Sequence, residues 1–207
     1  MKYRDKKIKS VSELIKKLKD DSAFYAGPIW YRGQSKKDYK LIPSFYRKVT
    51  STSEMTLIKK FKQNATLLMN HHSSNDFDWL FIMQHHGVPT RLLDWTESSL
   101  IALYFACCDN PSSDAALWVL LPTELNKHSG IEPEETYDIP GIGDLGNHDP
   151  KSYHADRTNT MGPAAAITSR NTSRMQAQQG TFTIFHKKTT AIEEIGDKNH
   201  VWRYLIP

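Results

Sequence analysis

Residues 84–106, QHHGVPTRLLDWTESSLIALYFA, constrain the fold more than any other stretch of this chain. Their second half is apolar through to Cys108, with no polar stripe before Asp109 and Asn110, which is the pattern of a helix covered on all sides. Asp94 precedes Glu97 by three residues, the spacing of a capping box, so the sequence predicts a central buried helix starting there. That helix is entered through Gln84, His85, His86, Thr90, Arg91, Asp94, Thr96 and Glu97. Capping accounts for Asp94 and Thr96 and contributes only about 1 kcal/mol. The remaining polar groups call for another reason, and a helix N-terminus draws anions through its free N–H groups. We expect a polar pocket presented by a buried scaffold.

The flanking sequence supplies the frame. Ser10 and Glu13 have capping-box spacing, and Val11, Leu14, Ile15 and Leu18 recur at helical intervals, predicting a one-faced helix over 11–20. The segment IWYRGQS at 29–35 reads as a strand that stops at Gly33, which leaves Arg32 at its end. Helices are expected over about 53–70, with Ile58, Phe61, Ala65 and Leu68 inward, and over about 76–86, stopped by Gly87 and Pro89. AALWVLLP at 115–122 reads as a strand covered on both faces, and GTFTIFH (180–186) and HVWRYLIP (200–207) as two more. Residues 123–160 show no period and read as a long loop of the binding or lid type.

With 207 residues, 39% apolar and 11% aromatic, the chain is expected to form one globular domain spanning 1–207. No window approaches the roughly 18–20 apolar residues of a membrane span, and the start MKYRDKKIKS lacks an apolar signal core, so the expected location is the cytoplasm. Cys107 and Cys108 are adjacent and read as small core residues. The net charge of +4 includes a cluster at Lys2, Arg4, Lys6, Lys7 and Lys9, which fits either a phosphate-facing patch or a solvated surface.

Several chemistries lack their signatures. No His-x-x-x-His or Cys-x-x-Cys pair exists, and the adjacent pairs His71–His72 and His85–His86 cannot each face one ion from a helix, so no metal is expected. Gly-x-Gly-x-x-Gly, the phosphate loop and Gly-x-Ser-x-Gly are also absent. Arg32, Arg91 and Arg174 each sit beside turn-forming or polar residues, where a planar five-donor fork suits a phosphate or carboxylate. Internal ion pairs with Asp94, Glu97 or Asp109 are the alternative.

WYRGQS, then QHHGVPTRLLDWT running into LIALYFA, then RMQAQQGTFTIF resembles the FRG domain, a bacterial family named for a motif that stands here as Tyr31-Arg32-Gly33. These blocks span residues 30–186, and members of the family look like components of defence or toxin-type proteins. FRG-type domains commonly continue beyond the point where RYLIP stands here, so a short or trimmed member is expected. The block order is also similar to ADP-ribosyltransferases: Tyr31-Arg32-Gly33, then Thr96 leading to Ala102-Leu103-Tyr104-Phe105, then Gln178 with Gly180 and Phe182.

That resemblance implies an α+β fold with a split mixed or antiparallel sheet flanked by helices. It implies NAD as substrate and transfer of ADP-ribose to a macromolecule or to water. Arg32 would grip the phosphates or ribose, Thr96 would shape the nicotinamide side, and Gln178 would orient the ribose. Asp94 joins these as a catalytic candidate, and Gly33, Gln34, His86, Arg91 and Arg174 as binding candidates. Gln176, Gln178 and Gln179 stand where many transferases carry a carboxylate, which leaves the charge to Glu97 or Asp94 or leaves the domain binding without turnover. The rival is a non-catalytic sensing or nucleic-acid-binding module that meets a phage or host component. A metal-free nuclease is the least favoured alternative.

Overall fold

The computed structural model describes residues 5–47, 52–65, 76–109, 112–132, 135–158, 160–168 and 173–207. The chain order is β1 (Lys6–Lys7), α1 (Val11–Ser22), β2 (Trp30–Gln34), α2 (Ser44–Arg47), α3 (Glu54–Ala65), α4 (Asp76–His85), β3 (Leu92–Thr96), α5 (Ser99–Cys107) and β4 (Ala115–Leu120). It continues through α6 (Pro122–His128), α7 (Pro150–Ala155), β5 (Ala164–Ala166), α8 (Ser173–Ala177), β6 (Gly180–Ile184) and β7 (Val201–Ile206). All seven strands share one mixed sheet in the order β1-β7-β4-β2-β3-β6-β5. β1 is parallel to β7 and every other pairing is antiparallel.

Helices form where periodicity and caps coincide. In α1 the Ser10 hydroxyl accepts from Glu13 N, and Leu14 and Leu18 are buried, whereas Val11 and Ile15 of the same predicted face are about half exposed. Ile58 and Ala65 of α3 are buried as expected, while Leu68 lies outside the described residues. Gly87 ends the α4 segment with φ +73°, a left-handed position that glycine adopts without strain.

The stretch that looked like a helix start is instead a strand. Leu93 and Trp95 pack into one core cluster and Leu92 into another, so LLDWT is covered on both faces apart from Asp94. The helix cap is Ser98, whose Oγ accepts from Ile101 N at 3.4 Å, and Asp94 caps nothing. Nor is α5 buried all round. Only Ala102 and Ala106 are enclosed, whereas Leu100 is 52% and Tyr104 65% exposed. Cys107 and Cys108 are exposed rather than core residues.

A close approach explains which face of α5 is covered. A Cβ on Gly33 would lie 1.9 Å from Ala102 O and 2.5 Å from Ala106 N, so only glycine lets β2 and α5 touch. β2 therefore runs through Gly33 to Gln34, and Arg32 sits inside the strand, not at its end. Residues 123–160 are not a structureless loop either, since they carry most of α6, two 3-10 turns and α7.

Candidate functional site

The sheet is nearly divided in two. β2 pairs with β4 at five positions and β3 with β6 at five, but β2 meets β3 at the single pair Tyr31↔Thr96. Glu97 N donates to Gln179 O and Phe185 N to Arg91 O. Because hydrogen-bonded pairs alternate along an antiparallel ladder, the odd-numbered residues of β3 bond toward β6. Asp94 consequently turns its backbone N–H and C=O toward β2, where no strand receives them. Arg32 occupies the gap, with Nη1 donating to Asp94 O at 2.6 Å.

A cavity of about 340 Å³ opens at this split, lined by residues of β2, β3 and β6 with contributions from α2, α4, α5 and α8. That volume lies within the ~300–1,000 Å³ usual for small-molecule sites. The cavity brings together Arg32, Gly33, Gln34, Asp94, Thr96 and Gln178, six of the candidates named from sequence.

Each of these side chains has a definable job. Arg32 is half-buried as a residue, yet its Nε is fully enclosed and has no hydrogen-bond partner among the described residues. Burial lowers its pKa from the ordinary arginine value, nearby Arg47 adds to the effect, and Asp94 opposes it. Asp94 is the exposed residue of β3, and its Oδ2 accepts from Gln84 Nε2 at 2.9 Å. Gln84 in turn accepts from the Thr90 hydroxyl, so the carboxylate is held by a short polar relay. Thr96 Oγ1 donates to Gln178 O at 2.7 Å and accepts from Ser98 N at 3.1 Å, which ties the β6 approach to the start of α5. Gln34 Oε1 accepts from the buried Trp118 Nε1 at 2.8 Å.

Three binding candidates fall elsewhere. Arg91 is fully buried and spent: Nε pairs with Glu54 Oε2 at 2.7 Å, Nη1 donates to Phe185 O at 2.8 Å, and Nη2 donates to His148 O. It holds the fold and does not line the cavity. His85 lines the cavity where His86 was expected; the His86 ring sits 6.0 Å from that of Phe61. The side chain of Arg174 lies outside the described residues.

Sequence reasoning passed over Arg47 and Tyr39, both of which line the cavity. Arg47 looks like surface charge in SFYRK, and only the fold brings it beside Arg32. Among the described residues, none from 123–160 lines this cavity.

The split in the α+β sheet gathers an arginine, a carboxylate and amide side chains around one cavity. The FRG domain model matches residues 27–115. The matched stretch contains Tyr31, Arg32, Gly33, Arg47, Gln84, Asp94 and Thr96, while Gln178, Gly180 and Phe182 complete the cavity from beyond it. No curated protein and no solved structure matches the chain. No helix among the described residues is long and apolar enough to cross a membrane.

Proposed function

We propose that the split between β2 and β3 binds NAD and that the domain transfers its ADP-ribose to a macromolecular acceptor. The observation that carries this reading is the unsatisfied Arg32 Nε, enclosed at the wall of a cavity that also holds Asp94, Thr96 and Gln178. A buried guanidinium with a spare donor is matched by a pyrophosphate, which accepts two parallel hydrogen bonds. In the transfer, the bond between ribose C1′ and the nicotinamide nitrogen breaks and its electron pair neutralises the pyridinium. The acceptor's nucleophile then bonds to C1′ and gives up a proton. Asp94 is the carboxylate placed to stabilise the positive charge that develops on the ribose, with Gln84 fixing its orientation. Gln178 supplies an amide for the ribose hydroxyls. The FRG resemblance suggests a setting in bacterial toxin or anti-phage defence proteins.

Titration calorimetry with NAD, paired with an assay for released nicotinamide in the presence of DNA, RNA or protein acceptors, tests both halves. NAD binding is expected, and Arg32→Lys should weaken it about as badly as Arg32→Ala, because an ammonium cannot reproduce the fork. Full binding by Arg32→Lys would sink the assignment of Arg32. Binding without nicotinamide release would leave a sensing module, a reading favoured by the neutral Gln178. The nucleic-acid rival draws less support from Lys6, which is already paired with Asp21.

A further inference from the structure

Away from the residues that line the β2–β3 cavity, His128, Asp197 and His200 converge. His128 closes α6, Asp197 lies in the turn after the 3-10 helix Ile192–Glu194, and His200 immediately precedes β7. One donor atom from each lies within 4.8 Å of the other two. Leu121 N donates to His200 O at 2.8 Å, so the backbones on either side of the cluster are already tied together.

His200 gives the cluster its meaning. The residue is fully buried, and its Nε2 stands 3.0 Å from Ile192 O. A carbonyl oxygen can only accept, so Nε2 must carry the proton and Nδ1 must present a lone pair. Nδ1 is buried with no hydrogen-bond partner among the described residues, a costly state for a polar atom unless something electrophilic meets it. A ring nitrogen freed for a ligand while the other donates to a backbone carbonyl is the arrangement that orients metal-bound histidines.

The other two donors are set at matching range. His128 Nε2 and Asp197 Oδ1 are 3.3 Å apart. Ligands held about 2.0–2.1 Å from one tetrahedral ion are separated by roughly 3.3 Å, so this edge fits without adjustment. Asp197 is fixed in turn by Asn199, whose backbone N–H donates to Oδ1 at 3.0 Å and whose side-chain amide donates to Oδ2 at 2.6 Å. Gly196, at φ +53°, makes room, since a Cβ there would come within 2.5 Å of the His128 ring.

We propose that His128, Asp197 and His200 form a binding site for a divalent transition metal, with zinc the ion whose ligand preference and geometry fit best. Two imidazoles and one carboxylate leave a fourth position for water. The ion would clip the end of α6 to the turn that leads into β7. The site lies apart from the β2–β3 cavity and is independent of what that cavity binds.

The test is zinc titration of the full chain after dialysis against a chelator, read by calorimetry and by the melting temperature. Binding of one ion with a Kd of about 1 μM or tighter and a melting temperature raised by several degrees are expected. His128→Ala and Asp197→Ala change exposed residues, so they should fold, and each should weaken zinc binding at least tenfold and abolish the thermal shift. Cobalt(II) in place of zinc should give the strong visible absorption of a four-coordinate ion, lost in both variants. The proposal is overturned if no ion binds at 100 μM zinc. It is equally overturned if binding survives both substitutions unchanged, or if cobalt shows only the weak six-coordinate spectrum.

Discussion

Arg32 and Arg91 look alike in the sequence, each a lone arginine beside a turn or polar run, yet the fold puts them to opposite uses. Arg91 sits in a knot with Glu54, His148 and the Tyr153 ring, whose centroid is 4.4 Å from its guanidinium carbon, and three of its nitrogens have partners. Arg32 has one such bond, to a backbone carbonyl, and an enclosed Nε with none. A buried arginine whose donors are used is structure. One with donors to spare, at the wall of a cavity, is the better candidate for function.

The largest expected effect breaks the knot. Arg91→Ala leaves Glu54, 2% exposed, without its counter-charge, and truncating one partner of a buried pair costs about 3–5 kcal/mol. Urea unfolding should register that loss, while Arg32→Ala should cost less than about 1 kcal/mol. Equal losses at the two sites would erase the distinction.

Acid offers a second probe of the knot. Burial lowers the pKa of His148 from 6.5 to about 4, with His186 and Arg91 adding to the effect and the bond to Gly162 O opposing it. A folded-state value below the unfolded one means the contribution is fully present above pH 6.5 and is lost as pH falls through about 4. The loss from this residue is on the order of 3 kcal/mol, at 1.36 kcal/mol for each pH unit. Unfolding free energies measured from pH 7 to 4 should fall accordingly, and His148→Gln should flatten that slope.

Gly33 crosses the comparison, since it lines the cavity but works by packing. Gly33→Ala drives a methyl into the α5 backbone, and overpacking of this kind costs about 1–3 kcal/mol. It should lower the melting temperature along with ligand affinity, whereas changes to true ligand contacts should lower affinity alone.

Asp94→Asn is the finest test. Asp94 caps no helix, so the melting temperature should hold, while nicotinamide release should slow about tenfold or more, near 1.4 kcal/mol in transition-state stabilisation. A protein that melts early with an unchanged rate would make Asp94 a structural residue.

Much of this was legible in the chain. The strands at 29–35, 115–122, 180–186 and 200–207 announced themselves by β-branched and aromatic content, and α1 by its cap and period. LLDWT was misread because Asp94 and Glu97 imitate a cap, while the strand's two-faced burial depends on partners far away in sequence. AAA at 164–166 carries no strand preference and becomes β5 only by pairing with β6. Arg32, Asp94, Thr96 and Gln178, singled out from motif order, line one cavity. Arg91 was misplaced because nothing local records that Glu54 waits for it 37 residues away.

Between β2 and β3 the backbone ladder is the single pair Tyr31↔Thr96, and the Arg32 guanidinium adds a bond across the split through Asp94 O, so a side chain there does the bridging that a sheet ordinarily leaves to its backbone.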